Sequence, residues 1–194
     1  MARLRYLMLM SLDGYAVDAD GGFDWAAPDE EVHQAVNDLS RDVGTYLYGR
    51  RMYETMAVWQ TSAPDDPAPG EPTEESAAVR DFARLWRAAD KVVYSASLDD
   101  VTTPRTDLVD RFDPGEARAL VEAADRDVAV GGPTLAASAF AAGLVDAVQL
   151  FVVPVSVGGG LPALPPDQRV DLRLTGVRRF ASGVVQLDHT VVRA

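Results

Sequence analysis

Val128-Ala129-Val130-Gly131-Gly132-Pro133-Thr134 ends an apolar run in two glycines and follows them with a proline suited to the first turn of a helix. Glycine lets a ligand approach the main chain, and a new helix offers free N–H groups, so a pyrophosphate is a natural occupant. A tight strand-to-helix turn with no ligand explains the same residues. Tyr46-Leu47-Tyr48-Gly49-Arg50-Arg51-Met52-Tyr53-Glu54-Thr55 repeats the arrangement and adds two arginines, whose planar guanidinium groups match phosphate oxygens in pairs. One of the two is equally well explained as a surface residue or as the ion-pair partner of Glu54. In Val92-Val93-Tyr94-Ser95-Ala96-Ser97 a strand ends in small hydroxyl residues, which suit a ribose phosphate or a plain turn. Neither G-x-G-x-x-G nor a P-loop is present.

The candidate proton donors are acids. Asp13 lies in an Asp-Gly turn at the end of the first strand, and Asp29 and Glu30 open the first helix behind Trp25. Each has a plain alternative: a side-chain-bonded turn for Asp13, helix-dipole partners for the other two. Trp25 either walls a pocket or packs its own loop. Gly158-Gly159-Gly160 admits a ligand close to the chain or makes a bend. His33 reads as a surface residue, and His189 has no motif around it. With no cysteine and only two histidines, a metal site would rest almost wholly on carboxylates, so none is expected.

The elements that must position these residues follow from periodicity. Leu4 to Leu12 is apolar on both faces, as in a central strand. Pro28 to Arg41 is expected to be helical, with Val32, Ala35, Val36 and Leu39 inward. Thr45 to Tyr48 reads as a strand, Arg51 to Ala57 as a short helix, and Ser76 to Ala89 as a long one. Strands at Lys91 to Ser95 and Thr106 to Phe112 precede a helix capped by Asp113, with Pro114 and Glu116 behind it. Asp127 to Val130, Pro133 to Ala142 and Val145 to Val155 read as strand, helix and strand. Val170 to Phe180 and Val184 to Val192 close the chain as a hairpin turned at Ala181-Ser182-Gly183. Thr61 to Glu75, rich in Pro, Asp and Glu, reads as a solvated loop. The expected fold is one α/β domain over residues 1–194, with a central mostly parallel sheet, helices on both faces and an antiparallel C-terminal hairpin. Such a sheet takes ligands at the carboxyl ends of its strands.

The 194 residues carry a net charge of −12, which disfavours nucleic acid, and no apolar run approaches the ~20 residues of a membrane span. Asp13 cuts short the run that superficially looks like a secretory signal, so the cytoplasm is the expected location.

Taken in order, Ser11-Leu12-Asp13-Gly14-Tyr15, Gly49-Arg50-Arg51-Met52-Tyr53-Glu54, Gly131-Gly132-Pro133-Thr134-Leu135 and Pro154-Val155-Ser156-Val157-Gly158-Gly159-Gly160 resemble the dihydrofolate reductase superfamily. They look especially like the branch that includes the reductase domain of riboflavin biosynthesis. The resemblance implies a dihydrofolate-reductase-like fold and NADPH as cofactor. It places the adenosine-side phosphate near Gly49, Arg50, Arg51 and Met52, with contacts from Tyr94, Ser95 and Ala96. The pyrophosphate would lie over Gly131, Gly132, Pro133, Thr134 and Leu135, with Val17 bordering the nicotinamide. Glu30 falls where the folate enzymes carry an acid after a tryptophan, and the same branch puts Gly158 and Gly159 at the substrate; Asp13, by its place at the end of a central strand, is the other candidate catalytic acid, and Trp25 a candidate substrate contact. Met52 and the Gly-Gly-Pro segment depart from the folate enzymes toward the riboflavin-type branch. No deaminase domain is attached and no substrate-phosphate cluster stands out, so the substrate is left at a pterin- or pyrimidine-like heterocycle. A dihydrofolate reductase proper and a non-catalytic nucleotide-binding homodimer are the alternatives. A homodimer is expected on either reading, to cover the apolar strand Leu144 to Val155 and the edge of the last hairpin.

Overall fold

A computed structural model describes residues 1–62 and 75–193. In chain order the elements are β1 (Leu4–Ser11), β2 (Tyr15–Val17), α1 (Glu30–Ser40), β3 (Val43–Gly49), α2 (Arg50–Met56), α3 (Ala77–Ala88), β4 (Asp90–Tyr94), β5 (Thr106–Val109), α4 (Pro114–Ala123), β6 (Asp127–Gly131), α5 (Pro133–Ala141), β7 (Ala147–Val153), β8 (Leu161–Pro162), β9 (Leu172–Arg179) and β10 (Val185–Val191). Eight strands form one sheet in the order β5-β4-β3-β6-β1-β7-β10-β9. The first six are parallel; β10 runs antiparallel to both β7 and β9. β2 and β8 pair separately.

Alternation along the strands packs both faces of the sheet. Tyr46, Tyr48, Val93 and Ala129 face one side, where Tyr53, Phe82 and Trp86 bring α2 and α3 down onto the sheet. Leu4, Tyr6, Leu47, Val92, Val128 and Val130 face the other, under Ala117 of α4 and Leu135, Ala136, Ala139 and Phe140 of α5. Each fully buried large side chain contributes about 1.5–3 kcal/mol. The carboxyl ends of β1, β3, β4, β6 and β7 therefore share one rim, with the helix following β3 on one face and that following β6 on the other.

Several expectations need correction. α1 begins at Glu30, not Pro28, because the Asp29 carboxylate accepts from Val32 N at 2.8 Å and so sits outside the helix as its cap. β7 is an interior strand between β1 and β10 and needs no further cover. The edge strand on that side is β9, which exposes Leu174 and Val177 between arginines at 173, 178 and 179. His33 is buried, with its ring against Trp59 and Phe82, and burial lowers its pKa. Most of the Thr61–Glu75 stretch lies outside the described residues. Asp113 caps α4 as expected, accepting from Gly115 N and Glu116 N.

Candidate functional site

The β6–α5 turn is shaped by its glycines. Gly132 has φ +85°, a left-handed conformation that disfavours side chains, and a Cβ there would lie 3.2 Å from Met52 Cβ. A Cβ on Gly131 would stand 2.5 Å from the buried ring of Tyr48. The turn thus lies flush against β3 and α2, and the two glycine corners form one surface. Gly132 opens α5 with no side-chain cap, and Pro133 has no N–H to satisfy. The N–H groups of Thr134 and Leu135 are left at the positive end of the helix dipole.

The two arginines differ. Arg50 donates from Nε to Glu54 Oε1 at 2.8 Å and from Nη1 to Ser97 Oγ at 3.1 Å. The exposed Arg51 guanidinium has no hydrogen bond or ion pair among the described residues. Ser95 Oγ accepts from Ser97 N and Leu98 N and folds its own turn beside the exposed Ala96. Tyr94 packs edge-on against Phe112.

The ends of β1 and β7 are tied together through Asp13. Its carboxylate accepts from Ser156 Oγ at 2.9 Å, Val157 N at 3.1 Å and Gly158 N at 2.7 Å. With the Ser11 hydroxyl the largest influence, these donors hold its pKa well below the usual carboxylate range. Asp13 therefore stays ionised at neutral pH, which suits it to holding the 156–158 loop rather than to donating a proton. Val17 enters the same corner by pairing with Leu161, so Asp13, Val17, Gly158 and Gly159 come together as one unit.

The acids that open α1 are engaged with three separate elements. Asp29 caps its own helix. Glu30 Oε1 accepts from Ala78 N at 3.1 Å, and the Ser76 hydroxyl is the main cause of its lowered pKa, so it caps α3. Glu31 accepts from Ala181 N and pairs with Arg178, holding the β9–β10 turn. Trp25 lies half-buried in a 3₁₀ turn next to β1, and its Nε1 is buried with no hydrogen-bond partner.

Residues 2–186 match the sequence profile of the RibD C-terminal domain. The chain belongs to that family. A curated relative, the uncharacterized protein YyaP of Bacillus subtilis (strain 168), is 27% identical over 182 residues, covering 93% of this chain and 90% of YyaP. A candidate riboflavin biosynthesis protein from Shewanella sp. PV-4 superposes with a TM-score of 0.74 at 18% identity, each chain covered in full. The diaminohydroxyphosphoribosylaminopyrimidine deaminase/5-amino-6-(5-phosphoribosylamino)uracil reductase of Thermotoga maritima gives 0.66 at 15% identity over 98% of this chain and 57% of that one. These similarities bear out the dihydrofolate-reductase-like fold and the riboflavin-type branch.

Two features of this RibD-type structure escape the sequence. One is a buried glutamine, Gln149, beneath α1; Gln149 Oε1 has no hydrogen-bond partner. A polar residue inside the apolar Ala147–Val153 run was the only available signal. The other is the β2–β8 pairing, whose strands are too short to show alternation. Among the described residues, no His/Asp/Glu group could hold a metal ion, and no helix is long and apolar enough to cross a membrane.

Proposed function

We propose that this chain is an NADPH-dependent reductase that transfers a hydride to a small pterin- or pyrimidine-like heterocycle. One observation carries the reading: the Gly131-Gly132 turn, with free N–H groups on α5, abuts the helix that presents an unengaged Arg51. A backbone amide pair beside a guanidinium suits a pyrophosphate and an additional phosphate. When bound, NADPH supplies the hydride equivalent. Gly131, Gly132, Thr134 and Leu135 would hold its pyrophosphate. Arg51, with Gly49, Met52 and the Tyr94–Ala96 turn nearby, would meet its adenosine-side phosphate. Arg50 shapes that corner through Glu54 and Ser97.

On the substrate side Asp13 fixes the loop carrying Gly158 and Gly159, Val17 borders the reacting region, and Trp25 offers a buried indole N–H. The pyrimidine option draws on the family and on the uracil reductase named for the Thermotoga relative. The same reading makes the protein a cytoplasmic homodimer with a small-molecule substrate and no nucleic-acid partner. Nucleotide binding without turnover is a second reading, favoured by one fact: Asp13, Asp29 and Glu30 are all engaged as hydrogen-bond acceptors. Under the reductase reading the proton comes from solvent.

Calorimetric titration with NADPH and with NADH tests the proposal. Tighter binding of NADPH is expected. Equal affinities would remove the phosphate role of Arg51, and no binding of either would end the reductase reading. NADPH binding without oxidation across a panel of pterins and pyrimidines would leave the second reading.

A further inference from the structure

Lys91 is the only lysine in the chain; every other one of its 18 Lys and Arg residues is an arginine. It is also one of the most deeply buried side chains, 1% exposed near the start of β4. Lysine is almost never fully buried unless it is paired. Among the described residues Lys91 makes no ion pair, and the neighbouring Asp90 lies 2.8 Å from Arg105 Nη2 instead.

The end of α3 meets the ammonium. Lys91 Nζ donates to Ala89 O at 2.8 Å and to Trp86 O at 3.3 Å, and it stands 4.4 Å from the centre of the Trp86 ring. Trp86 O belongs to the last turn of the helix, where carbonyls lack intrahelical partners. A cation there also complements the negative end of the helix dipole and the face of the indole. Lys91 N donates to Arg105 O, so the main chain of this residue is fixed in the sheet while its side chain ties down the preceding helix. Trp86 is fully buried in turn, and its Nε1 donates to the hydroxyl of Tyr48, the ring against which Gly131 lies.

An amine takes up an acyl group only as the free base, and only where the acyl carbon can reach it. The docked α3 denies Lys91 both conditions. The arginines offer no substitute, because a guanidinium stays protonated. Acylation would turn Nζ into a neutral amide nitrogen with a single N–H, and the added carbonyl and alkyl groups would press on a close-packed indole.

We propose that Lys91 is the one side-chain amine acylation site of this chain, closed while α3 is docked, and that acylation of an opened chain prevents α3 from docking again. The donor is an acyl phosphate. The exposed ammonium first loses a proton to solvent, and the nitrogen lone pair attacks the acyl carbon. The N–C bond forms, the bond from the acyl carbon to the phosphate oxygen breaks, phosphate leaves with that electron pair, and the second proton passes to water. No nucleotide takes part, so the proposal stands apart from the reductase reading.

The test treats the full chain with acetyl phosphate at increasing urea and follows Lys91 by peptide mass spectrometry, with the α-amino group of Met1 as the check that the reagent is active. Lys91 is expected to react at least tenfold more slowly in native buffer than in the urea-unfolded chain, its rate rising as the near-ultraviolet circular dichroism is lost. After removal of urea, chains acetylated only at Met1 are expected to regain the native spectrum, and chains acetylated at Lys91 as well are not. Lys91→Met, which keeps a long side chain without an amine, is expected to regain it after the same treatment. Should that variant fail to fold, the two acetylated fractions of the parent, separated by charge, carry the test. Acetylation of Lys91 in native buffer at a rate within tenfold of the unfolded chain, or recovery of the native spectrum by the Lys91-acetylated fraction, would overturn the proposal.

Discussion

The two halves of the carboxyl rim use their polar groups in opposite ways. At the ends of β3 and β6, the Arg51 guanidinium and the first N–H groups of α5 have nothing in the described protein to bind. At the ends of β1 and β7 and the start of α1, Asp13, Asp29, Glu30 and Glu31 each hold a loop, a helix start or a hairpin turn. Charge alone does not mark a binding group. An acid whose acceptor oxygens are filled by backbone N–H donors is part of the scaffold, whereas an uncapped helix start or an unpaired guanidinium is available to a ligand.

The largest expected effect probes the backbone of the β3–β6 half. Gly131→Ala drives a methyl into the buried Tyr48 ring, and overpacking of this kind costs about 1–3 kcal/mol. For a chain of this size, that is a fall of roughly 2–12 °C in melting temperature, read by thermal unfolding. An unchanged melting temperature would mean that the turn is not held against β3. Next comes Asp13→Ala, which removes the acceptor for Val157 N and Gly158 N. Their amide hydrogen exchange is expected to quicken at least tenfold, with NADPH affinity unchanged within twofold. Lost cofactor affinity in this variant would erase the contrast between the halves.

Arg51→Ala sharpens the contrast within the β3–β6 half. It is expected to weaken NADPH about tenfold, equal to ~1.4 kcal/mol, and to leave NADH unaffected. Arg50→Ala should lose less, because Glu54 already neutralises that guanidinium; calorimetry that ranks the two in reverse breaks the assignment. The smallest effect is expected from His33. Burial lowers its folded pKa below the ordinary 6.5, so the unfolded chain takes up the proton first as pH falls. The stability tied to neutral His33 is present above pH 6.5 and is lost as pH drops toward the folded value. Urea midpoints at pH 7 and pH 5 should differ less in His33→Phe than in the parent.

How legible each region was in the sequence follows from the range of the interactions that build it. The Gly131-Gly132-Pro133 turn could be read because strand, glycines and helix start are contiguous, and the Asp113 cap for the same reason. The start of α1 was misread by two residues. Pro28 followed by acids has the look of a first turn, and only the bond from Val32 N to Asp29 shows which acid stands outside. Glu30 meets Ala78 across 48 residues, and Glu31 meets Ala181 across 150. No local pattern carries such pairings. His33 lies on the flank of its own helix, and only Trp59 and Phe82, supplied by later segments, bury it. The paired arginines were recognised as inequivalent, but which one was engaged depended on Ser97 arriving from the end of β4.

The arginines of β9 bear on how copies of this chain can meet. An exposed edge strand is a template for unwanted polymerisation. A two-fold pairing of β9 with itself centred on Thr175 and Gly176 would set Arg173 opposite Arg178 or Arg179. The like charges oppose that register, so edge-to-edge pairing of two copies through β9 is disfavoured there.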